Sequence, residues 1–487
     1  MKLPSLSSVA IAVVSAASLV VFGATGGNLG AALLPIGLVL AAVALLRAPL
    51  HLFGQGLLLA ALVLDDPRGI PASGRWKNPL YPLGALLFDN LNNVTGIDAL
   101  RFALIEVVIA VVLIAAIART WGDGQSRVPR PLAIATTAAT ACVVALEIWG
   151  MARGGDFRAS LWQIRQLFWV GPITWVFFLT LRGEEDFPAL VRIILISASV
   201  KAFEAIWLVL VVCRPLGIRP PTANTHADTV LYVMAVVLLL AGVLEIRSRR
   251  AWLWAAGLLP LLGLGLFFNN RRLAYVSLTG SLVLIYTLFP PGALKRKVEL
   301  LAAVSAPLVA AYVLIGRNSS SVIFAPAVKL ASLFSREDHS AVGRDIENWD
   351  LVQTFKARPL FGWGFGHEYL EIQKADPIKD IFPLYRFIAH NSLLWQWVLG
   401  GLVGFTLLWM PLVLTAFFAM RAYRTSRVPS VRVAALLCAC VVVAQEVQQY
   451  GDMGSQAWLG AFFFGAAAAM AGKLALASGG WPAPARK

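Results

Sequence analysis

Charge is scarce in this sequence. Only 14% of the 487 residues are charged and 59% are hydrophobic, whereas soluble globular chains carry about a quarter charged residues. That deficit excludes a domain with an ordinary solvated surface. Cysteine is nearly as rare. Cys142, Cys213, Cys438 and Cys440 all fall inside apolar runs, where they read as small buried side chains and support neither a disulfide framework nor a zinc site. Histidine is confined to His51, His226, His339, His367 and His390, none of them at a metal-ligand spacing such as HExxH. No GxSxG elbow, reactive-cysteine context or DxD motif for a nucleotide-sugar donor is present.

What is abundant is hydrocarbon, in runs that reach the ~20 residues needed to cross a bilayer. The runs predict spans near 8–24, 28–46, 51–65, 101–118, 131–151, 166–181, 189–213, 229–246, 252–268, 273–289, 299–316, 391–420, 433–449 and 455–474. The expected fold is an all-α polytopic membrane helix bundle of about 12–14 transmembrane helices. The first run, after Met1-Lys2, resembles a signal peptide. Further spans follow directly without a clear small-residue cleavage site, which favours a retained helix. With a cytoplasmic N-terminus, the basic clusters Arg119/Arg127/Arg130, Arg247/Arg249/Arg250, Lys295/Arg296/Lys297 and Arg421/Arg424/Arg427/Arg432 share the inner side, as do Arg47, Arg182 and the C-terminal Arg486/Lys487. This is the positive-inside pattern. The net charge of +15 is then an orientation signal with some attraction to anionic lipid, and no nucleic-acid partner is expected.

Two outer segments break the rhythm of short loops. Residues 66–100 mix both signs of charge, and residues 317–390 separate two spans. Loops beyond about 15 residues are usually functional or disordered. Nine basic residues balanced by nine acidic ones, with Trp349, Trp363, Phe334, Phe355, Phe361, Phe365 and Tyr369, favour a folded, partly helical subdomain for 317–390. The chain thus divides into an N-terminal bundle (1–316), a loop subdomain (317–390) and C-terminal helices (391–487). Within the loop, Ile346, Trp349, Leu351, Val352 and Phe355 have roughly helical spacing and predict an amphipathic helix. The run GWGFG at 362–366 lacks the preceding strand of a dinucleotide fingerprint, so a tight turn from Pro359 is expected instead.

Arginine is normally depleted on the outer side, yet Arg153, Arg158, Arg165, Arg214, Arg219, Arg271, Arg272, Arg317, Arg336 and Arg344 fall there. Snorkelling to lipid phosphates accounts for some, such as Arg153 and Arg317. FFNNRRLAY (267–275) is different, because it sets four polar groups into otherwise continuous apolar sequence. Guanidinium groups suit bidentate contacts to phosphate, so a converging set at the membrane surface fits a lipid-linked phosphate or diphosphate. RFIAHNSLLWQWVLGG (386–401) sets His390 and Asn391 at the lip of an apolar run. That histidine is either a boundary residue packed at the interface or a general base.

Taken in order, NNRRLAY, GRxxxxW with RPLFGxGFG, and HNSLL followed by a glycine-containing helix resemble the O-antigen ligase and O-antigen polymerase superfamily over about residues 268–404. The resemblance implies a metal-independent, inverting glycosyltransferase of the bacterial inner membrane. It implies an active site facing the periplasm, no cofactor, and a glycan donor on undecaprenyl diphosphate. The acceptor is a lipid A core for a ligase or a second lipid-linked glycan for a polymerase. Carried over by position, His390 matches the catalytic histidine, Arg272 with Arg271 the arginine of the SR-type motif, and Arg344 the loop arginine. These arginines are expected to hold the diphosphate. Arg158 and Arg165 join them on weaker similarity. Leu393 stands where relatives often have tyrosine, and Leu399 where many have glutamate. Asn391 and Glu446, the latter near Gln449, are supporting candidates. The competing reading is a transporter or flippase of lipid-linked oligosaccharide, for which Glu147, Lys201 and Glu204 would be the charges within spans.

Overall fold

A computed structural model describes residues 6–24, 27, 36, 43, 45–65, 78–95, 101–121, 127–218, 220, 222–331, 339–374, 383–454 and 457–482. Most of the span expected at 28–46, and Arg219 and Arg336, lie outside the described residues. The described chain is helical without a named strand: α1 (Leu6–Ala24), α2 (Leu50–Leu64), α3 (Tyr81–Phe88), α4 (Leu91–Thr95), α5 (Leu104–Thr120), α6 (Arg130–Ala152), α7 (Phe157–Thr180) and α8 (Phe187–Trp207). Then come α9 (Asp228–Ile246), α10 (Arg249–Asn269), α11 (Arg272–Leu288), α12 (Ala293–Gly316), α13 (Ala325–Ala331) and α14 (His339–Ala357). The last three are α15 (Ser392–Thr425), α16 (Pro429–Gly451) and α17 (Trp458–Ala477). Among the described residues, eight helices are long and apolar enough to cross a membrane, and α2 and α11 are shorter apolar ones. The chain is an all-α, multi-pass membrane bundle.

The centre of the bundle is α9, α16 and α17, whose side chains are mostly buried. In α17 the run Ala466–Ala469, with Gly460, Gly465 and Gly472, is almost wholly enclosed. Small residues let neighbouring backbones approach, which is how helices associate where lipid removes the hydrophobic drive. The four cysteines are free and buried. α7 begins nine residues before the span expected at 166, because Asp156 caps it by accepting from the Ala159 amide at 2.8 Å.

The bundle has two ends. At one, Arg432 of α16 forms a two-pronged ion pair with Glu245 of α9 at 2.7 and 2.9 Å, and Tyr423 of α15 donates to the same carboxylate. Arg182, Arg247, Arg421 and Arg424 lie at the helix ends there. The other end carries α14 and the 358–391 segment, and is the loop face below.

α14 covers the expected 346–355 helix and extends it, but its buried face differs from the apolar one the spacing predicted. Glu347, Asp350, Leu351 and Thr354 are buried, whereas Trp349 is exposed. The reason is hydrogen bonding. Thr354 accepts from the Leu370 amide at 2.9 Å, and Asp350 from the Ile372 and Gln373 amides at 3.2 and 3.0 Å. Loop amides that cannot reach water must find acceptors, and this polar stripe supplies them.

The GWGFG turn is more than a tight turn. α15 is interrupted at Gly401 (φ 58°, ψ −163°), and the loop fills the break. The Trp363 and Gly364 amides donate to the Val398 and Leu399 carbonyls at 3.0 and 2.9 Å, while the Leu402 and Val403 amides donate to Pro359 and Leu360 at 2.7 and 3.1 Å. Gly362, Gly364 and Gly366 all have positive φ, a region closed to most side chains. Phe365 then donates to the Leu146 carbonyl of α6 at 3.2 Å, so the loop is stitched to two helices at once.

Candidate active site

His390 sits one residue ahead of the N-cap of α15. Asn391 is that cap, accepting from the Leu394 amide at 3.1 Å and donating from Nδ2 to Asn348 Oδ1 at 2.9 Å. The strand of chain before it is fixed as well. The Trp395 indole donates to the Phe387 carbonyl at 2.6 Å, Tyr369 donates its amide to Arg386, and Arg386 pairs with Glu368. These contacts leave the imidazole little freedom.

The partner of His390 is Glu347 of α14. The backbone amide of His390 donates to both Glu347 oxygens at 3.3 and 3.2 Å, and the Nδ1 side of the ring lies 3.3 Å from Oε2. Glu347 is buried and His390 is about 30% exposed at its side chain. A carboxylate on Nδ1 holds an imidazole with Nε2 free to take a proton, and stabilises the imidazolium that results. Tyr369 lies close by. Burial, reinforced by the negative charge of Glu347, holds its phenol far above the ordinary value, so it stays a neutral hydrogen-bonding group.

Beside this pair the structure gathers a second group. Arg271 forms the N-cap of α11, half-buried, with Nη2 donating to Thr222 Oγ1 at 3.3 Å. Burial draws its guanidinium down to about 10; Asp452 opposes that shift and Arg344 adds to it. Arg271 remains a cation at neutral pH, and among the described residues its buried Nε–H has no hydrogen-bond partner. Arg344 sits three residues before Glu347 on α14 and acts electrostatically on both Arg271 and Asp452. Asp452 follows α16. Burial alone would raise its carboxyl, but hydrogen bonding and charge from His226, the Met453 amide and Arg344 carry it below the usual carboxylate range. Ser392 Oγ donates to the Asp452 carbonyl at 3.4 Å, which links this group to the start of α15.

The structure thus brings together His390, Asn391, Arg271 and Arg344. Arg272 opens α11, half-buried, next to Arg271. The other sequence candidates have surroundings of their own. Arg165 is engaged by Glu106 of α5 at 2.7 and 3.1 Å and by Asn90, a tie between α5 and α7 rather than an open anion site. Arg158 is exposed in the first turn of α7. Glu446 is half-buried on α16, while Gln449 accepts from Gln396 of α15 at 3.2 Å. Lys201 is buried on α8 and pairs with Asp228 of α9 at 3.5 Å. Among the described residues no three His, Cys, Asp or Glu side chains are grouped to hold a metal ion.

Glu347, Asp452 and His226 escaped the sequence reading. Glu347 lies within GRDIENW, where only Arg344, the tryptophan and the apolar spacing were singled out; an acid three residues after that arginine, hence on the same helix face, was the available signal. Asp452 and His226 sit in short helix connections, and nothing local marks them. The family model described as O-antigen ligase matches residues 234–410. The match begins in α9 and ends in α15, spanning Arg271, Arg272, Arg344, Glu347 and His390. It supports the O-antigen ligase and polymerase superfamily, and with it glycosyl transfer of that general type. No curated protein matches the chain.

Proposed function

From the O-antigen ligase match over residues 234–410, we propose that this chain transfers glycan from an undecaprenyl-diphosphate donor, with inversion, at the periplasmic face of the bacterial inner membrane. The loop face is then periplasmic and both termini are cytoplasmic, in keeping with the basic clusters at the opposite end. The observation that carries the reading is the His390–Glu347 pair beside the half-buried Arg271 with its unpartnered Nε–H. A fixed base next to an unsatisfied cation is what attack on a glycosyl diphosphate needs.

In this mechanism His390 takes the proton from an acceptor hydroxyl while Glu347 holds the ring. The acceptor oxygen forms its bond to the anomeric carbon from the face opposite the leaving group. The bond between that carbon and the diphosphate oxygen breaks, and the electron pair leaves with undecaprenyl diphosphate. Arg271 and Arg344, with Arg272 adjoining, offset the charge that develops there. Such preplaced electrostatic stabilisation is commonly the largest part of catalysis. The proton on His390 passes to solvent, to which the ring is partly open.

The acceptor is a lipid A core or a second lipid-linked glycan. The deciding experiment supplies the purified protein with undecaprenyl-diphosphate glycan, with and without a lipid A core. Capping of the core marks a ligase and lengthening of the lipid-linked chain a polymerase. Absence of both products refutes the glycosyltransferase reading. Transfer of donor across vesicles without new glycosidic bonds would establish the flippase alternative.

A further inference from the structure

Residues 222–227, ahead of α9, reach the arginine group through Thr222 and the neighbouring Asp452 through His226. Thr222 accepts from Arg271. Asn224 donates its amide to Asn269 Oδ1 and accepts from Tyr232, which ties the segment to α9 and α10. Asp228 accepts from the Thr225 amide and hydroxyl and pairs with Lys201. Between these anchors, His226 Nδ1 contacts Asp452 Oδ2.

This arrangement leaves an anomaly. Asp452 is close enough to raise the pKa of Arg271, yet its carboxylate is bound by His226 and approached by Gln448 Nε2 at 3.4 Å. Arg271, in turn, keeps a buried N–H with no acceptor among the described residues. Left alone, a buried carboxylate and a buried guanidinium would close on each other. We propose that His226 is a positioning residue: by engaging Asp452 it keeps that carboxylate from occupying Arg271 and Arg344, and so holds the anion site open for diphosphate. This rests on the reading of those two arginines as the diphosphate site.

His226 faces Asp452 at the end of α16; that carboxylate is in turn influenced by Arg344 on α14 and acts on Arg271 of α11, while Asp228 at the start of α9 is paired with Lys201. The His390–Glu347 pair lies beyond Asp452, across Ser392. Held by His226, the Asp452 carboxylate is kept off the arginines. Without that contact the carboxylate is left to them, and the diphosphate then has to displace it.

The test is binding of undecaprenyl diphosphate to the purified full chain in detergent. All proteins carry His390→Gln, so that imidazole does not contribute. His226→Gln is expected to bind about tenfold more weakly, the scale of one charge-assisted contact. His226→Lys restores affinity. Asp452→Asn binds no more weakly than the parent, and His226→Gln/Asp452→Asn matches Asp452→Asn. Three results overturn the proposal: a double variant as weak as His226→Gln, loss of binding on Asp452→Asn alone, or unchanged affinity in His226→Gln. Failure of the parent protein to bind undecaprenyl diphosphate refutes the diphosphate site itself.

Discussion

At the scale of single residues, the proposed mechanism depends on one imidazole whose neighbours fix its place. Removing it with His390→Ala is expected to lower kcat for glycan transfer by about 10²–10⁴-fold, the usual contribution of a general base, while donor binding persists. Glu347→Gln keeps the size and a hydrogen-bonding group but removes the charge that favours the imidazolium. It should cost at least about tenfold in kcat with little change in donor KM, since Glu347 touches the base rather than the diphosphate. An E347Q enzyme with normal kcat would remove Glu347 from the mechanism. Arg271→Ala, by contrast, should act chiefly on the donor, raising its KM and lowering kcat through lost charge stabilisation. His390 and the arginines were legible as residues because ionisable groups are costly beside hydrocarbon and therefore informative. Arg165 shows the limit of that argument. It is costly for the same reason, but its charge is met by Glu106 from a helix far away in sequence.

At the scale of elements, apolar run length located most helices, since bilayer thickness dictates it. Helix interruptions were harder to see. Gly400 and Gly401 lie inside a long apolar run, and only the loop's amides and carbonyls, delivered from about forty residues earlier, explain why α15 tolerates a break there. The same long-range pairing explains the error over α14, where the buried face is polar because a second segment needs its acceptors. A prediction follows from the close packing of the turn. A Cβ on Gly364 would stand 2.4 Å from the Gly150 amide nitrogen, at a φ of +79°. Gly364→Ala is therefore expected to destabilise the docked loop by about 1–3 kcal/mol or more. The loss should register as a lower thermal midpoint and as faster proteolysis between Arg358 and Arg386. A cleavage pattern equal to that of the unsubstituted protein would show that the turn is not locked in this way.

Across the whole molecule, the two ends are built for different purposes. Among the described residues the loop face leaves the buried Nε–H of Arg271 without an acceptor, while at the opposite end Arg432 and Glu245 close on one another. Arg432, Glu245 and Tyr423 join three helices there, and Arg432 also lies over the Tyr423 ring at 4.0 Å. Deleting one member strands the other, so Glu245→Gln should lower stability by about 3–5 kcal/mol. Replacing both ionic partners, as in Glu245→Leu/Arg432→Met, should recover much of that loss, because the pair's net contribution is small once desolvation is counted. Unfolding in detergent micelles, followed by loss of helical signal, distinguishes the two outcomes. α12 differs from the central helices in that none of its span is buried within the chain. Its apolar length was plain in the sequence, but its peripheral position was not, since every side of a lipid-facing helix reads much like a buried one.

The break at Gly401 also bears on how this protein can be recombined with its relatives. A swap that moves only the residues between α12 and α15 would leave the carbonyls of Val398 and Leu399 and the amides of Leu402 and Val403 facing a foreign chain. Within a bilayer each unmet peptide group costs several kcal/mol. The transferable cassette is therefore the discontinuous splice of loop and helix, residues 359–403, with Gly150 and Leu146 of α6 as its fixed socket.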